Sequence, residues 1–378
     1  MRSYLALSLS SALLSTAPLS ARAEGAPVLD TAAGKFTVGG YLEAAYSYNL
    51  GHPGNGVTAY RGFDDRHNTF TISNAVLDGQ WEKGAASGRV MLQVGQTPDS
   101  YYQAEPRWKN LQQAYLGYKA PLGRGLLLQA GLFLSPIGVE GVAVKDNWSW
   151  SRSNLFFGLP FYHLGIRASQ QLTEHLTVTG AVYNGWNAVV DNNPGKSVSV
   201  QFAFTDAERL LFSLLYFGGP ERPAGAREGQ PWRHLLDGWA QVRAGERLWL
   251  GVHGDAGFEV NRFGISSWAA GALYAQVKAA SFLYFAARSD YFHEHAAANG
   301  AGQAARLFWP GDWVASATGT VDVRPRDNLL FRAELRHDRG QGEMFFQGSV
   351  EGDGSIARPY VPNARAQSTV TLGVTTWL

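Results

Sequence analysis

Hydrophobic and polar residues alternate with a period of two along most of the chain. In Ser197 to Thr205 (SVSVQFAFT), Val198, Val200, Phe202 and Phe204 share one face, and Ser197, Ser199, Gln201, Ala203 and Thr205 the other. Arg247 to Asp255 sets Leu248, Leu250 and Val252 against Trp249, His253 and Asp255. Leu329 to Asp338 sets Leu329, Phe331, Ala333 and Leu335 against Arg332, Glu334 and Arg336. Thr369 to Leu378 alternates Val370, Leu372 and Val374 with Thr369, Thr371 and Thr375. Successive side chains of a strand point to opposite faces, so each segment reads as a strand with one apolar and one polar side. Two stretches are blurred. Arg209 to Phe217 is apolar on both faces, and Asn74 and Asp78 interrupt Phe70 to Trp81. Such strands either bulge or face another protein surface rather than lipid.

The pattern predicts sixteen strands, beginning near Phe36, Asn68, Gly88, Lys109, Leu126, Phe161, Leu176, Lys196, Arg209, His234, Arg247, Ile265, Phe282, Asp312, Leu329 and Ala366. Seven connections are short: Lys83 to Ser87, Ala120 to Gly125, Gln171 to His175, Asp206 to Glu208, Ala244 to Glu246, Ala279 to Ser281 and Arg324 to Asn328. The eight others are expected to run from about seven to 27 residues, so that short and long alternate throughout. A soluble sandwich or propeller has no reason to sort its loops this way. A transmembrane antiparallel up-and-down β-barrel, all-β, has short periplasmic turns and long extracellular loops. Trp108, Trp148, Trp150, Trp186, Trp232, Trp268, Trp309 and Trp313 fall in or beside long connections, and Trp81, Trp249 and Trp377 near the opposite rim. Two headgroup-level girdles would place them so, as would packing of loops on one another.

The first residues fix the compartment. Arg2, an apolar stretch from Tyr4 to Leu19 and the Ala21-Arg22-Ala23 end describe a secretory signal peptide over residues 1–23. Residues 24–35 are then expected to be a short periplasmic segment, too short for a plug, and 36–378 the barrel. The chain has 378 residues and no Cys, which excludes a disulfide-stapled module. A formal charge of +1 leaves no excess for a phosphate backbone, so nucleic acid is not expected as a partner. Mean hydropathy is −0.17, and no stretch of 18 apolar residues follows the leader, which excludes helical spans.

A sixteen-stranded bore is too wide for wall side chains to fill, so a water-filled channel is expected. Narrowing would come from a long loop, and Ser135 to Pro160 (SPIGVEGVAVKDNWSWSRSNLFFGLP) is the candidate because it carries apolar residues that a solvated loop would not need. Glu140, Lys145, Asp146 and Arg152 are its candidate constriction charges. An outer lid sealing the barrel is the other reading. The candidate pore-lining charges on the strands are Glu43, Arg89, Arg167, Asp255, Arg288, Asp290, Arg332, Glu334 and Arg336, with Asp237, Arg243 and Asp322 on the same polar faces. Arg at the bilayer midplane costs about 2–4 kcal/mol, so these cannot face lipid. The mixture of signs points to weak selectivity or a transverse field, as against a ladder of wall salt bridges.

Catalytic and metal motifs fail their checks, so neither an enzyme, nor a cofactor, nor a metal site is expected. Gly195-Lys196-Ser197 lacks the phosphate-loop glycine, since residue 190 is Val. His293-Glu294-His295 lacks the four-residue spacing of a helical zinc site, and no G-x-S-x-G occurs.

Four segments carry a resemblance: Ala59 to Phe70 (AYRGFDDRHNTF), Gly131 to Gly138 (GLFLSPIG), Val144 to Ser153 (VKDNWSWSRS) and Val182 to Trp186 (VYNGW). The chain resembles the OmpL-like β-barrel porin family of Gram-negative outer membranes over essentially its mature length. Gly131 to Gly138, followed by Ser151-Arg152-Ser153, is also similar to phosphate- and polyphosphate-type anion porins, which would imply a homotrimer and a basic eyelet. A ladder of inward Lys is absent here. The chain also ends Trp377-Leu378, where barrels usually present a terminal aromatic to the assembly machinery. The expectation is an outer-membrane porin for passive diffusion of small hydrophilic solutes or ions. Its expected partners are outer-membrane lipid, lipopolysaccharide and the assembly machinery. The alternative is a non-conducting barrel whose outer loops act in adhesion or partner binding.

Overall fold

The computed structural model describes residues 28–378, and the expected leader lies outside them. Sixteen strands follow in chain order. The first eight are β1 Gly34–Asn49, β2 Thr69–Lys83, β3 Ala86–Val94, β4 Leu111–Ala120, β5 Leu126–Leu134, β6 Tyr162–Gln171, β7 Leu176–Tyr183 and β8 Ser197–Asp206. The second eight are β9 Leu210–Pro220, β10 Trp232–Arg243, β11 Leu248–Asn261, β12 Gly264–Lys278, β13 Leu283–His295, β14 Trp313–Arg326, β15 Leu329–Gly340 and β16 Ala366–Trp377. Each pairs antiparallel with its sequence neighbours. β16 returns to β1, with Thr369 opposite Asn49 and Trp377 opposite Tyr41, and the sheet closes into a barrel. Inside that seam the Ser47 and Thr371 hydroxyls meet at 2.9 Å. Closure removes the open sheet edge, the condition under which strands can cross hydrocarbon. Ahead of the barrel, Val28–Thr31 folds back on residues 34–37.

The alternation resolves as expected. Val200, Phe202, Leu250, Val252, Phe331, Leu335 and Leu372 are exposed on the outer wall, while the intervening Ser199, Gln201, His253, Asp255, Arg332, Glu334 and Thr371 are buried inside. The interruption in β2 is a bulge: Glu43 pairs with Asn74 but Ala44 with Ile72, so Ser73 is an extra residue, and both Ser73 and Asn74 are buried. The second apolar face of β9 is covered by the chain itself. Leu211 packs with Val139 and Leu155, and Leu215 and Phe217 pack with Ile137 and Leu159.

One connection corrects the expected rhythm. β11 and β12 are joined by Arg262 and Phe263 alone, with Gly264 at φ 127°. The strands continue because the alternation does: Phe258 and Val260 are exposed while Glu259 between them is buried. The other odd connections are long, among them 50–68, 135–161, 184–196, 296–312 and 341–365. Tryptophans at this end mostly pack inward: Trp148, Trp150 and Trp309 of the connections and Trp268 of β12 are buried, whereas Trp232 at the start of β10 is exposed. At this end, Phe133, Phe217 and Phe292 from the wall join Leu159, Trp309, Met344 and Phe345 from the loops in one cluster.

Candidate functional site in the barrel interior

Segment 135–160 is almost wholly buried. Its shape is set first by its own polar groups. The Asn147 side chain accepts from Gly141 N–H at 2.8 Å and donates to the carbonyls of Gly141 (2.8 Å) and Ala143 (3.0 Å). The Arg152 guanidinium donates to the carbonyls of Gly141 (3.0 Å), Trp150 (2.5 Å) and Val142, and lies over the Phe63 ring. Ser153 caps the short helix Asn154–Phe157, its hydroxyl accepting from Phe156 N–H at 3.2 Å. These bonds satisfy backbone groups that a buried loop would otherwise leave unpaired.

Wall side chains hold the rest. Glu334 accepts from Trp150 N–H at 2.5 Å and Ser151 N–H at 3.1 Å. Arg332 donates to the carbonyls of Ser149 at 2.7 Å and Asn147 at 2.8 Å while paired with Asp322 at 2.6 Å. Arg336 pairs with Asp338 at 2.7 Å and donates to the Arg152 carbonyl and to Asn154 Oδ1. Arg288 donates to Glu140 at 2.7 Å and to the Ser151 carbonyl at 2.6 Å. Asp290 accepts from the backbone and side-chain N–H groups of Asn154, and Glu43 accepts from Val144 N–H at 2.6 Å. Six of the nine expected wall charges thus converge on one segment. Each is buried, so each carries a defined bond rather than a water shell.

The other three lie apart. Arg89 pairs bidentately with Asp78 (2.9 and 2.8 Å) and stays partly exposed. Arg167 donates to Gln129 at 2.7 Å and covers the Phe133 ring. Asp255 lies 3.2 Å from His253, which also meets Asp237 at 2.7 Å. The alternation puts Asp237, His253 and Asp255 on inner faces but does not join them; the only sequence signal for the group is His253 and Asp255 two positions apart on one strand face. Of the segment's own charges, Glu140 and Arg152 are buried, whereas Lys145 and Asp146, bonded to each other at 2.8 Å, keep some exposure. Burial pushes the Glu140 carboxyl up, but Arg288 and the Ser153 hydroxyl and N–H outweigh it, and the group sits below the ordinary carboxylate range. His293 and His295 face outward, and Glu294 between them turns inward to accept the backbone N–H groups of Leu307, Phe308 and Trp309.

A closed sixteen-stranded barrel with an apolar outer wall and a charged, bonded interior is the architecture of an outer-membrane porin. The family described as "Putative beta-barrel porin-2, OmpL-like" matches residues 35–375, and the chain belongs to that family. It is an outer-membrane protein with the fold of a channel. The structure is similar to OmpT of Vibrio cholerae at 12% identity, covering 93% of this chain and 100% of that one with a TM-score of 0.60. It is similar to the outer membrane channel DcaP of Acinetobacter baumannii at 10% identity, covering 93% and 99%, with a TM-score of 0.60. An anion-selective porin from Comamonas acidovorans is alike at 10% identity, covering 91% and 99%, with a TM-score of 0.58. No curated protein matches the chain by sequence.

Proposed function

We propose that the barrel conducts small hydrophilic solutes or ions by passive diffusion, and that segment 135–160 folds inward to narrow the bore. The supporting observation is the set of opposed bonds at β15: Glu334 takes the N–H groups of Trp150 and Ser151 while Arg332 takes the carbonyls of Ser149 and Asn147. A lid lying outside the barrel would have no use for such wall residues. The partly exposed charges Lys145, Asp146 and Arg89, the last paired with buried Asp78, are of both signs, which fits weak selectivity. A homotrimer, the form in which OmpT of Vibrio cholerae is also described, is proposed with this reading.

A second reading is favoured by the loop cluster around Phe292, Trp309 and Phe345, which occupies the long-loop end and fits a shut barrel that works through its outer surface. Planar bilayers decide. Folded, heat-modifiable protein is expected to give stepwise ion current, and its absence would overturn the channel.

A further inference from the structure

Asp237 of β10 and Asp255 of β11 are direct partners in the strand register, so their side chains project side by side into the interior. Like charges placed opposite each other across an antiparallel pair repel. Both are buried, and their shared ion-pair partner is His253, two residues before Asp255 on the same face. Both contacts fall on the same ring nitrogen: Nε2 is 2.7 Å from Asp237 Oδ2 and 3.2 Å from Asp255 Oδ1. A single N–H there can point at one carboxylate. Neither oxygen of Asp255 has a hydrogen-bond donor, although the side chain is fully buried. Asp237 gains one weak donor, Gly138 N–H at 3.3 Å. With the ring proton on Nδ1, the Nε2 lone pair would face two anionic oxygens, an arrangement that needs a cation.

We propose that Asp237, His253 and Asp255 form a buried divalent-cation site, suited to Zn²⁺. One oxygen from each carboxylate and one imidazole nitrogen lie within 4.8 Å of one another. Zn²⁺ takes such donors at about 2.0–2.2 Å in a tetrahedron, which sets ligand atoms about 3.3 Å apart. The Asp255 contact already has that spacing, and the Asp237 contact opens by about half an ångström. Both carboxylates stay ionised, Nε2 gives its lone pair to the metal, and any proton held between His253 and Asp237 leaves to solvent. Segment 135–160 passes the ring at Gly138, where a side chain would crowd it: an added Cβ would lie 2.9 Å from Leu159 Cδ1 and 3.2 Å from His253 Cε1. The site does not depend on whether the barrel conducts.

The test is to refold the full chain in detergent with Zn²⁺ or with chelator, desalt it, and measure bound metal by atomic emission. Wild type is expected to keep one Zn²⁺ per chain and to unfold at higher temperature for it. H253Q and D255N are each expected to lose that equivalent. D255N removes a charge that repels Asp237, so it folds even if H253Q does not. Exposed histidines such as His52 and His295 bind weakly and are cleared by desalting. Failure of the wild type to keep an equivalent, or equal retention by the variants, overturns the site and leaves an imidazolium held between two carboxylates.

Discussion

Glu334 on the wall accepts the N–H groups of two consecutive residues of the interior segment, Trp150 at 2.5 Å and Ser151 at 3.1 Å. A carboxylate can serve two donors in this way only if the backbone presents them side by side, so the bond fixes the local chain direction as well as its position.

Replacing that group is expected to loosen the segment without breaking the barrel. E334A leaves two buried N–H groups unpaired, at about 1–3 kcal/mol each. Limited proteolysis is expected to cut within 135–160 in E334A but not in wild type, and single-channel conductance is expected to rise. E334Q, which retains an acceptor oxygen, is expected to fall between the two. Unchanged proteolysis in E334A would show that the segment is held elsewhere.

Arg152 acts within the segment, so its loss has a different signature. R152A removes the donors for the Gly141, Val142 and Trp150 carbonyls and is expected to destabilise the loop by about 2–4 kcal/mol. Amide exchange of residues 141–152 is expected to accelerate while strand amides stay protected.

Lys145 remains partly exposed beside Asp146 and makes no bond to the wall that holds the segment in place. K145E changes the charge at that point by two units and is expected to move reversal potentials toward cation preference with little change in stability. An unchanged reversal potential would place the residue away from the permeation path.

The Glu140 carboxyl sits below its ordinary range in the folded chain. A group whose folded value is depressed contributes stability that is fully present above the unfolded value and is lost as pH falls through the folded one. The segment is therefore expected to be seated at neutral pH and to loosen from about pH 4 downward. Conductance recorded from pH 7 to pH 3 is expected to change in wild type and to change less in E140Q, where Glu334, Asp290 and Glu43 still hold the segment.

Much of this was legible in the sequence, for a physical reason. Lipid and bore impose opposite polarities on neighbouring residues, so Val200 against Gln201, or Phe331 against Arg332, reports which side of the wall each occupies. The same rule misleads above the bilayer, where Phe258 and Val260 continue the pattern to a two-residue turn at Arg262-Phe263 that was expected to be a longer loop. Alternation also says nothing about what lies across the bore. Arg288, Arg332 and Arg336 lie on the inner face, but their bonds to Ser151, Ser149 and Arg152 join residues more than 130 positions apart. The double apolar face of Arg209 to Phe217 left a bulge or a protein surface open; the structure supplies the surface, the segment containing Ile137, Val139, Leu155 and Leu159.

The spacing along the chain of the residues that hold segment 135–160 has a consequence for biogenesis. Five of its six wall holders arrive late: Glu43 belongs to the first strand, but Arg288 and Asp290 belong to the thirteenth and Arg332, Glu334 and Arg336 to the fifteenth. Until those strands and β16 are in place, Trp150 lacks the Glu334 carboxylate and the Gly373 backbone it lies against, and the carbonyls of Ser149, Ser151 and Arg152 lack their wall donors. Contacts of such long sequence separation form slowly because the intervening chain must be ordered first. Full seating of the segment is therefore expected to be a late event, completed only when the last hairpin pairs and β16 meets β1.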